Sequence, residues 1–193
     1  MPPALQSDFV RGVVSTVHQG DCLISARPDV TFSTVLGSCV SACVRDTVAR
    51  VGGMNHFLLA TQSGSARDRY GESARYGAFA MEQLINLVLA KGSGNKANLE
   101  FKVFGGGIIH AGLNDVGAKN VAFVTEFLRN EGFVIASRDL GGTFARRVMF
   151  QPVTGRALVK RLDSAENAML VREELAIATR QNRKAAAPDI ELF

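Results

Sequence analysis

Between Val30 and Leu59 the chain carries two runs of small and β-branched residues joined by one polar turn, and this pattern leaves few ways to fold. Ser38-Cys39-Val40-Ser41-Ala42-Cys43-Val44-Arg45 has neither proline nor glycine and reads as a strand. Val51-Gly52-Gly53-Met54-Asn55-His56-Phe57-Leu58-Leu59 reads as its return partner, with the glycine pair as the mark of a bulge. In Asp46-Thr47-Val48-Ala49-Arg50, the Asp46 side chain can bond nearby backbone and start a turn. A loop centred between Thr47 and Val48 pairs 46 with 49 and 45 with 50, and so sets Cys39 opposite His56. Side chains opposed in this way have Cβ atoms about 4.5–5.5 Å apart. An odd loop or a bulge shifts the pairing by one.

The chemistry of that pair gives the hairpin its interest. A thiol is a nucleophile as thiolate, and a neighbouring imidazole can take its proton. Gly37 precedes Ser38-Cys39 and allows a substrate to come close to the backbone there. Amides near Ser38 and Cys39 suit an oxyanion.

With 193 residues, 47% of them hydrophobic, the chain is long enough for one domain with a sizeable core. Apolar stretches such as Leu84 to Ala90 are too short to span a bilayer, and the N-terminus lacks a basic region followed by an apolar one. Three cysteines give no disulfide framework and fit a reducing cytoplasm. The net charge of +4 is spread along the chain rather than gathered in a basic stripe, which argues against nucleic acid. Three cysteines and three histidines are few for a metal site, and Cys39 and Cys43 lie far apart along one strand face. Cys22 and Cys43 read as inert core thiols, and His18 and His110 as structural or solvated.

Residues 1–10 read as a flexible N-terminus. Strands are expected at Val13–His18, Cys22–Ala26 and Val30–Leu36, ahead of the hairpin. A polar loop follows from Thr61 to Glu72. Met81, Leu84, Ile85, Val88 and Leu89 repeat at helical spacing, from about Ser73 to Gly92. Leu99 to Phe104 reads as a strand, and Gly105-Gly106-Gly107 as tight backbone packing rather than a phosphate loop. A second helix covers about Ala118 to Asn130, followed by a strand at Phe133–Ser137 and a loop at Leu140–Thr143. Arg147–Phe150 and Arg156–Leu162 form a hairpin, with Arg146 and Arg147 at a solvated strand end. Ser164 to Arg180 is a last amphipathic helix and the rest a tail. Many strands with two main helices imply an α+β domain over 11–163, with 164–193 as an extension.

Several stretches, in order, resemble the chemoreceptor glutamine deamidase family, CheD. They are Leu36-Gly37-Ser38-Cys39-Val40, Gly52-Gly53-Met54-Asn55-His56-Phe57, Arg75-Tyr76-Gly77, Ala80-Met81-Glu82-Gln83-Leu84-Ile85-Asn86, Lys102-Val103-Phe104-Gly105-Gly106, Gly117-Ala118-Lys119-Asn120, Asp139-Leu140-Gly141-Gly142 and Pro152-Val153-Thr154-Gly155-Arg156. The resemblance implies a mixed β-sandwich flanked by helices, similar to toxin-type cysteine deamidases. It implies hydrolysis of receptor glutamines to glutamate and ammonia, with Cys39 as nucleophile, His56 as base and no cofactor or metal. The family's third catalytic residue is a Thr six residues before the nucleophile, which falls on Ser33 here. Adjacent Thr34 is expected to point to the other face. Gly37, Ser38 and Asn55 are assigned to the substrate and oxyanion vicinity. The resemblance implies the cytoplasmic helices of chemotaxis receptors as partners and leaves room for a CheC-type phosphatase beside them, with no nucleic acid and no membrane insertion expected. The competing reading is a binding module that docks to receptors or to that phosphatase with little catalysis.

Overall fold

Strands buried on both faces must be made of small or branched uncharged residues, and the central strands here are. The structure, a computed structural model, describes residues 12–59, 71–109 and 114–163, with Glu166 and Ala168 beyond them. Among these the strands are β1 (Val13–Thr16), β2 (Cys22–Ser25), β3 (Val30–Leu36), β4 (Val40–Asp46), β5 (Val51–Asn55), β6 (Leu99–Gly105), β7 (Ile135–Leu140), β8 (Arg146–Phe150) and β9 (Ala157–Arg161). Helix α1 spans Gly71–Lys91 and α2 spans Asn114–Asn130. The expected N-terminal arm, the polar loop from Thr61 to residue 70, His110 and, apart from Glu166 and Ala168, the helix expected from Ser164 to Arg180 lie outside the described residues.

Four strands form one sheet in the order β1-β3-β8-β9, and five form another in the order β2-β5-β4-β6-β7. The β1–β3 and β6–β7 pairs are parallel and the others antiparallel, so both sheets are mixed. The two sheets face each other, and both helices cover the outer face of the five-stranded sheet. This is the expected α+β sandwich with flanking helices.

Alternation along β4 assigns the two faces. Val40, Ala42 and Val44 pack against Met81, Leu84, Ile85 and Val88 of α1 and Val124 and Leu128 of α2. Cys39 and Cys43 point the other way, into an inter-sheet core with Val17, Phe32, Leu36, Met54 and Phe104. The Gly52-Gly53 pair makes no bulge, for the β4–β5 register is constant. It permits close approach instead. A Cβ on Gly53 would meet Ile24 Cγ2 and Leu84 Cδ1 at 2.7 Å, and one on Gly52 would meet the Pro152 carbonyl oxygen at 2.6 Å.

The hairpin register differs from the sequence expectation. Asp46 pairs with Val51, Cys43 with Met54 and Val40 with Phe57. The partner numbers therefore sum to 97 rather than 95, and Cys39 lies opposite Leu58. The cause is the turn. Asp46 Oδ1 accepts from the amides of Val48 (3.0 Å) and Ala49 (2.8 Å), and Arg50 closes the loop in the left-handed region with its amide on the Asp46 carbonyl. The loop is thus Thr47–Arg50, centred one residue later than expected. Asp46 Oδ2 also accepts from the Ser93 amide (2.7 Å) and hydroxyl (2.6 Å) just after α1. Burial pushes this carboxyl up, but its hydrogen bonds outweigh burial and hold it below its ordinary range.

Other boundaries move modestly. Helix α2 starts at Asn114, and β7 runs to Leu140 through Arg138 and Asp139, whose backbones pair with Val103 and Phe104 of β6. Arg146 is not solvated but fully buried. Its guanidinium donates to the Asp139 carboxylate and carbonyl and to the Gly141 carbonyl, and lies 4.8 Å from the Phe144 ring centre. It thereby holds the β7–β8 loop in shape. Arg147 is exposed, as expected. Among the described residues no helix is long and apolar enough to cross a membrane.

Asp46→Ala removes the acceptor for three amides and a hydroxyl near the hairpin turn. It is expected to lower stability by about 2 kcal/mol or more, read as a lower urea midpoint at unchanged slope. An unchanged midpoint contradicts this account of the turn.

Candidate active site

Two segments bring polar atoms into the inter-sheet core beside His56. Strand β3 presents Phe32, Thr34 and Leu36 to that core, by the same alternation that seats Phe32 and Leu36 in it. The chain after β1 brings in the Val17 carbonyl, fixed because the Val17 amide donates to Ser33 O at 2.8 Å. Thr34 Oγ1 donates to Val17 O at 2.7 Å and lies 2.9 Å from His56 Nδ1. His56 Nδ1 is itself 3.4 Å from Val17 O.

These contacts fix the tautomer. A threonine hydroxyl has one hydrogen, and here the carbonyl takes it. Thr34 therefore accepts from His56, so Nδ1 carries the ring proton and Nε2 carries the lone pair. His56 Nε2 is buried and has no hydrogen-bond partner among the described residues. Burial lowers the ring's pKa from 6.5 to about 4, against the bond to the Val17 carbonyl and the charge of Asp21, which raise it. The ring is thus neutral near pH 7. Between pH 6.5 and about 4 the unfolded chain takes up a proton that the folded ring refuses, so acidification through that window costs stability.

Cys39 and His56 lie on the same face of the five-stranded sheet, as expected, but not directly opposed. His56 continues the register opposite Ser41, one step along from Cys39's partner Leu58. Diagonal neighbours of this kind are roughly 7–8 Å apart or somewhat less, within reach of a ring as long as imidazole. The His56 backbone bonds on the β2 side of β5, while Phe57 beside it pairs with Val40 of β4. The His56 amide donates to Asp21 O (3.1 Å) and its carbonyl accepts from Gly20 N (2.7 Å), in the turn that also bears Gln19. Cys39 Sγ donates to Gln19 Oε1 at 3.8 Å, so a carboxamide oxygen already approaches the sulfur.

The loop before Cys39 is held by its carbonyls. Gly37 O accepts from Gly107 N and Cys39 O from Gly106 N, both at 2.7 Å, while Ser38 O accepts from Asn120 Nδ2 at 2.9 Å. Gly105 has φ +110°, and a Cβ there would sit 2.2 Å from the Cys39 carbonyl oxygen. The triple glycine is therefore the seat of the loop that carries Cys39, which fits the tight packing read from the sequence.

Two expected site residues are not where they were placed. Ser33 is buried but shares the opposite face of β3 with Thr31 and Val35, and Thr34 takes the position against the imidazole. Counting six residues back from Cys39 picks the wrong parity of the strand. Asn55 faces the helix layer rather than the thiol. Its Oδ1 accepts from Ala42 N (2.9 Å), and its Nδ2 donates to Ala80 O in α1 (3.0 Å). It supplies the acceptor for Ala42 N between the Cys43–Met54 and Val40–Phe57 pairs of the β4–β5 ladder. Cys22 is raised by burial to about 11, and burial also pushes Cys43 up, as suits packing thiols. A separate cleft of about 960 Å³ lies between α2 and the β7–β8 loop. Arg129, Arg138, Gly142, Phe144 and Arg161 line it, and neither Cys39 nor His56 does.

The family model CheD, described as CheD chemotactic sensory transduction, matches residues 58–161. The probable chemoreceptor glutamine deamidase CheD 1 of Ruegeria sp. (strain TM1040) is 47% identical over 184 residues, covering 92% of this chain and 94% of that protein. The probable chemoreceptor glutamine deamidase CheD of Caulobacter sp. (strain K31) is 49% identical over 179 residues, covering 92% of this chain and 91% of its own. The chain belongs to the CheD family. The family model begins just past His56, whereas each of these two relatives aligns with 92% of the chain.

Nitrogen-detected NMR titration of the folded CheD chain is expected to find His56 as the Nδ1–H tautomer, with a midpoint near 4. An Nε2–H tautomer, or a midpoint at or above the ordinary 6.5, contradicts the assignment.

Proposed function

We propose that this chain is a chemoreceptor glutamine deamidase that hydrolyses glutamine side chains of receptor cytoplasmic helices to glutamate and ammonia. One observation carries the reading. A neutral imidazole is held at Nδ1 by Thr34, and its basic Nε2 is left on the sheet face that bears Cys39.

The steps follow from that arrangement. Cys39 Sγ attacks the side-chain amide carbon while its proton passes to His56 Nε2. The carbonyl oxygen becomes an oxyanion, and amides of the tied Ser38–Cys39 loop stabilise it, at about 3 kcal/mol per donor. His56 returns the proton to the leaving nitrogen, and ammonia departs from a thioester. Water then loses a proton to Nε2, adds to the thioester carbon, and releases glutamate and the thiol. Thr34 keeps Nδ1 protonated throughout, the part played by the third member of such triads. Its β-branched side chain has few rotamers, which holds the hydroxyl in place. No step calls on a metal or cofactor.

Membership in a family whose relatives are named probable chemoreceptor glutamine deamidases supports receptors as the substrate, and their cytoplasmic helices are where this reading places the reaction. A CheC-type phosphatase is the second protein partner of this reading, which for that partner rests on the sequence resemblance alone.

Purified protein incubated with a receptor cytoplasmic fragment is expected to convert specific glutamines to glutamate, read by peptide mass spectrometry. Cys39→Ala is expected to lower the rate by about 1,000-fold or more without losing the fold. Full deamidation by Cys39→Ala removes this reading.

A further inference from the structure

The mechanism leaves one fully buried polar residue of α2 without a role. Asn120 has no exposed surface. Its Oδ1 accepts from Leu59 N at 2.8 Å, and its Nδ2 donates to Ser38 O at 2.9 Å. The orientation of the amide is settled by its partners, since a backbone N–H only donates and a carbonyl only accepts. One side chain thus ties the peptide before Cys39 to the segment that follows His56. Neither bond belongs to a sheet ladder or a helix.

We infer that Asn120 is a positioning residue that aims the Cys39 amide at the oxyanion. The inference rests on the cysteine reading above and deepens it. The Ser38–Cys39 peptide is planar and trans, as all described peptides are, so its C=O and N–H point in opposite directions. Asn120 draws the Ser38 carbonyl toward α2, in the helix layer. The same plane then turns the Cys39 N–H away from that layer, to the side of the sheet where the Cys39 and His56 side chains lie. Gly107 N and Gly106 N fix the carbonyls on either side, so each of three successive peptides is tied on its oxygen. Asn120 supplies the only one of those three ties that comes from a side chain, and a single substitution can remove it.

The substitution Asn120→Asp keeps an acceptor for Leu59 N and removes the donor to Ser38 O, nearly without change of volume. Loss of a well-aimed oxyanion donor lowers turnover without touching the thiol. Deamidation of a receptor fragment is therefore expected to lose about 100-fold in kcat, with KM within about threefold of wild type. Alkylation of Cys39 by iodoacetamide passes through no oxyanion, and its rate is expected to stay within about threefold as well. The introduced carboxyl regains a donor when protonated, so the ratio of variant to wild-type kcat is expected to rise as pH falls from about 8 to about 5.5.

Should Asn120→Asp fail to fold, Asn120→Ser carries the same kcat and alkylation comparison. A folded variant that keeps wild-type kcat overturns the inference, and so does a parallel fall of kcat and alkylation, which is the signature of general loosening. Cys39→Ala and wild type run alongside. Wild-type kcat in the Asn120 variant, with deamidation abolished by Cys39→Ala, removes only the role of Asn120. Deamidation that does not depend on Cys39 removes the reading beneath it.

Discussion

The chain of contacts Val17 O, Thr34 hydroxyl, His56 Nδ1 joins the two sheets of the sandwich and sets the state of the base. Val17 and Thr34 belong to the four-stranded side, and His56 ends a strand of the five-stranded side. The carbonyl can only accept, so the direction of every hydrogen in the chain follows from it. Burial keeps the ring neutral, and the hydroxyl decides which nitrogen carries the proton. Everything proposed for Cys39 depends on Nε2 being the free lone pair.

Cys39 and His56, the groups proposed to react, are each backed by a buried asparagine. Asn55 precedes His56 and supplies the acceptor for Ala42 N, while tying β5 to α1. Asn120 reaches from α2 to the peptide before Cys39. Both side chains lie on the helix side of the five-stranded sheet, and both reacting groups lie on the other. The helices thus act as a rigid backing for a site that they do not line. A site supported in this way holds its geometry through packing and fully satisfied buried amides rather than through loops.

Much of this was legible in the residues. Helical spacing from Met81 to Leu89, the strand at Val30–Leu36 and the hairpin at Cys39–His56 all appear in the fold, because each pattern has one burial solution. The register was less so. Asp46 was recognised as a turn former, but its two local amide bonds and the left-handed Arg50 set a loop of four. The family resemblance puts the third residue on Ser33, six before Cys39, whereas alternation favours Thr34, which shares parity with Phe32 and Leu36 as Ser33 does not. Asn120 bonds to residues 61 and 82 positions away in the chain, and no local pattern carries such a bond. Arg146 reads as solvated in the sequence because Arg usually is, and only tertiary structure shows the carbonyls that receive it.

The most direct test compares two adjacent hydroxyls. Thr34→Val and Ser33→Ala each delete one hydroxyl at little cost in shape, and deamidation of a receptor fragment is followed for both. The account predicts that Thr34→Val loses about 100-fold or more in kcat, and that Ser33→Ala stays within about threefold of wild type. A silent Thr34→Val, with the loss falling on Ser33→Ala instead, would contradict it.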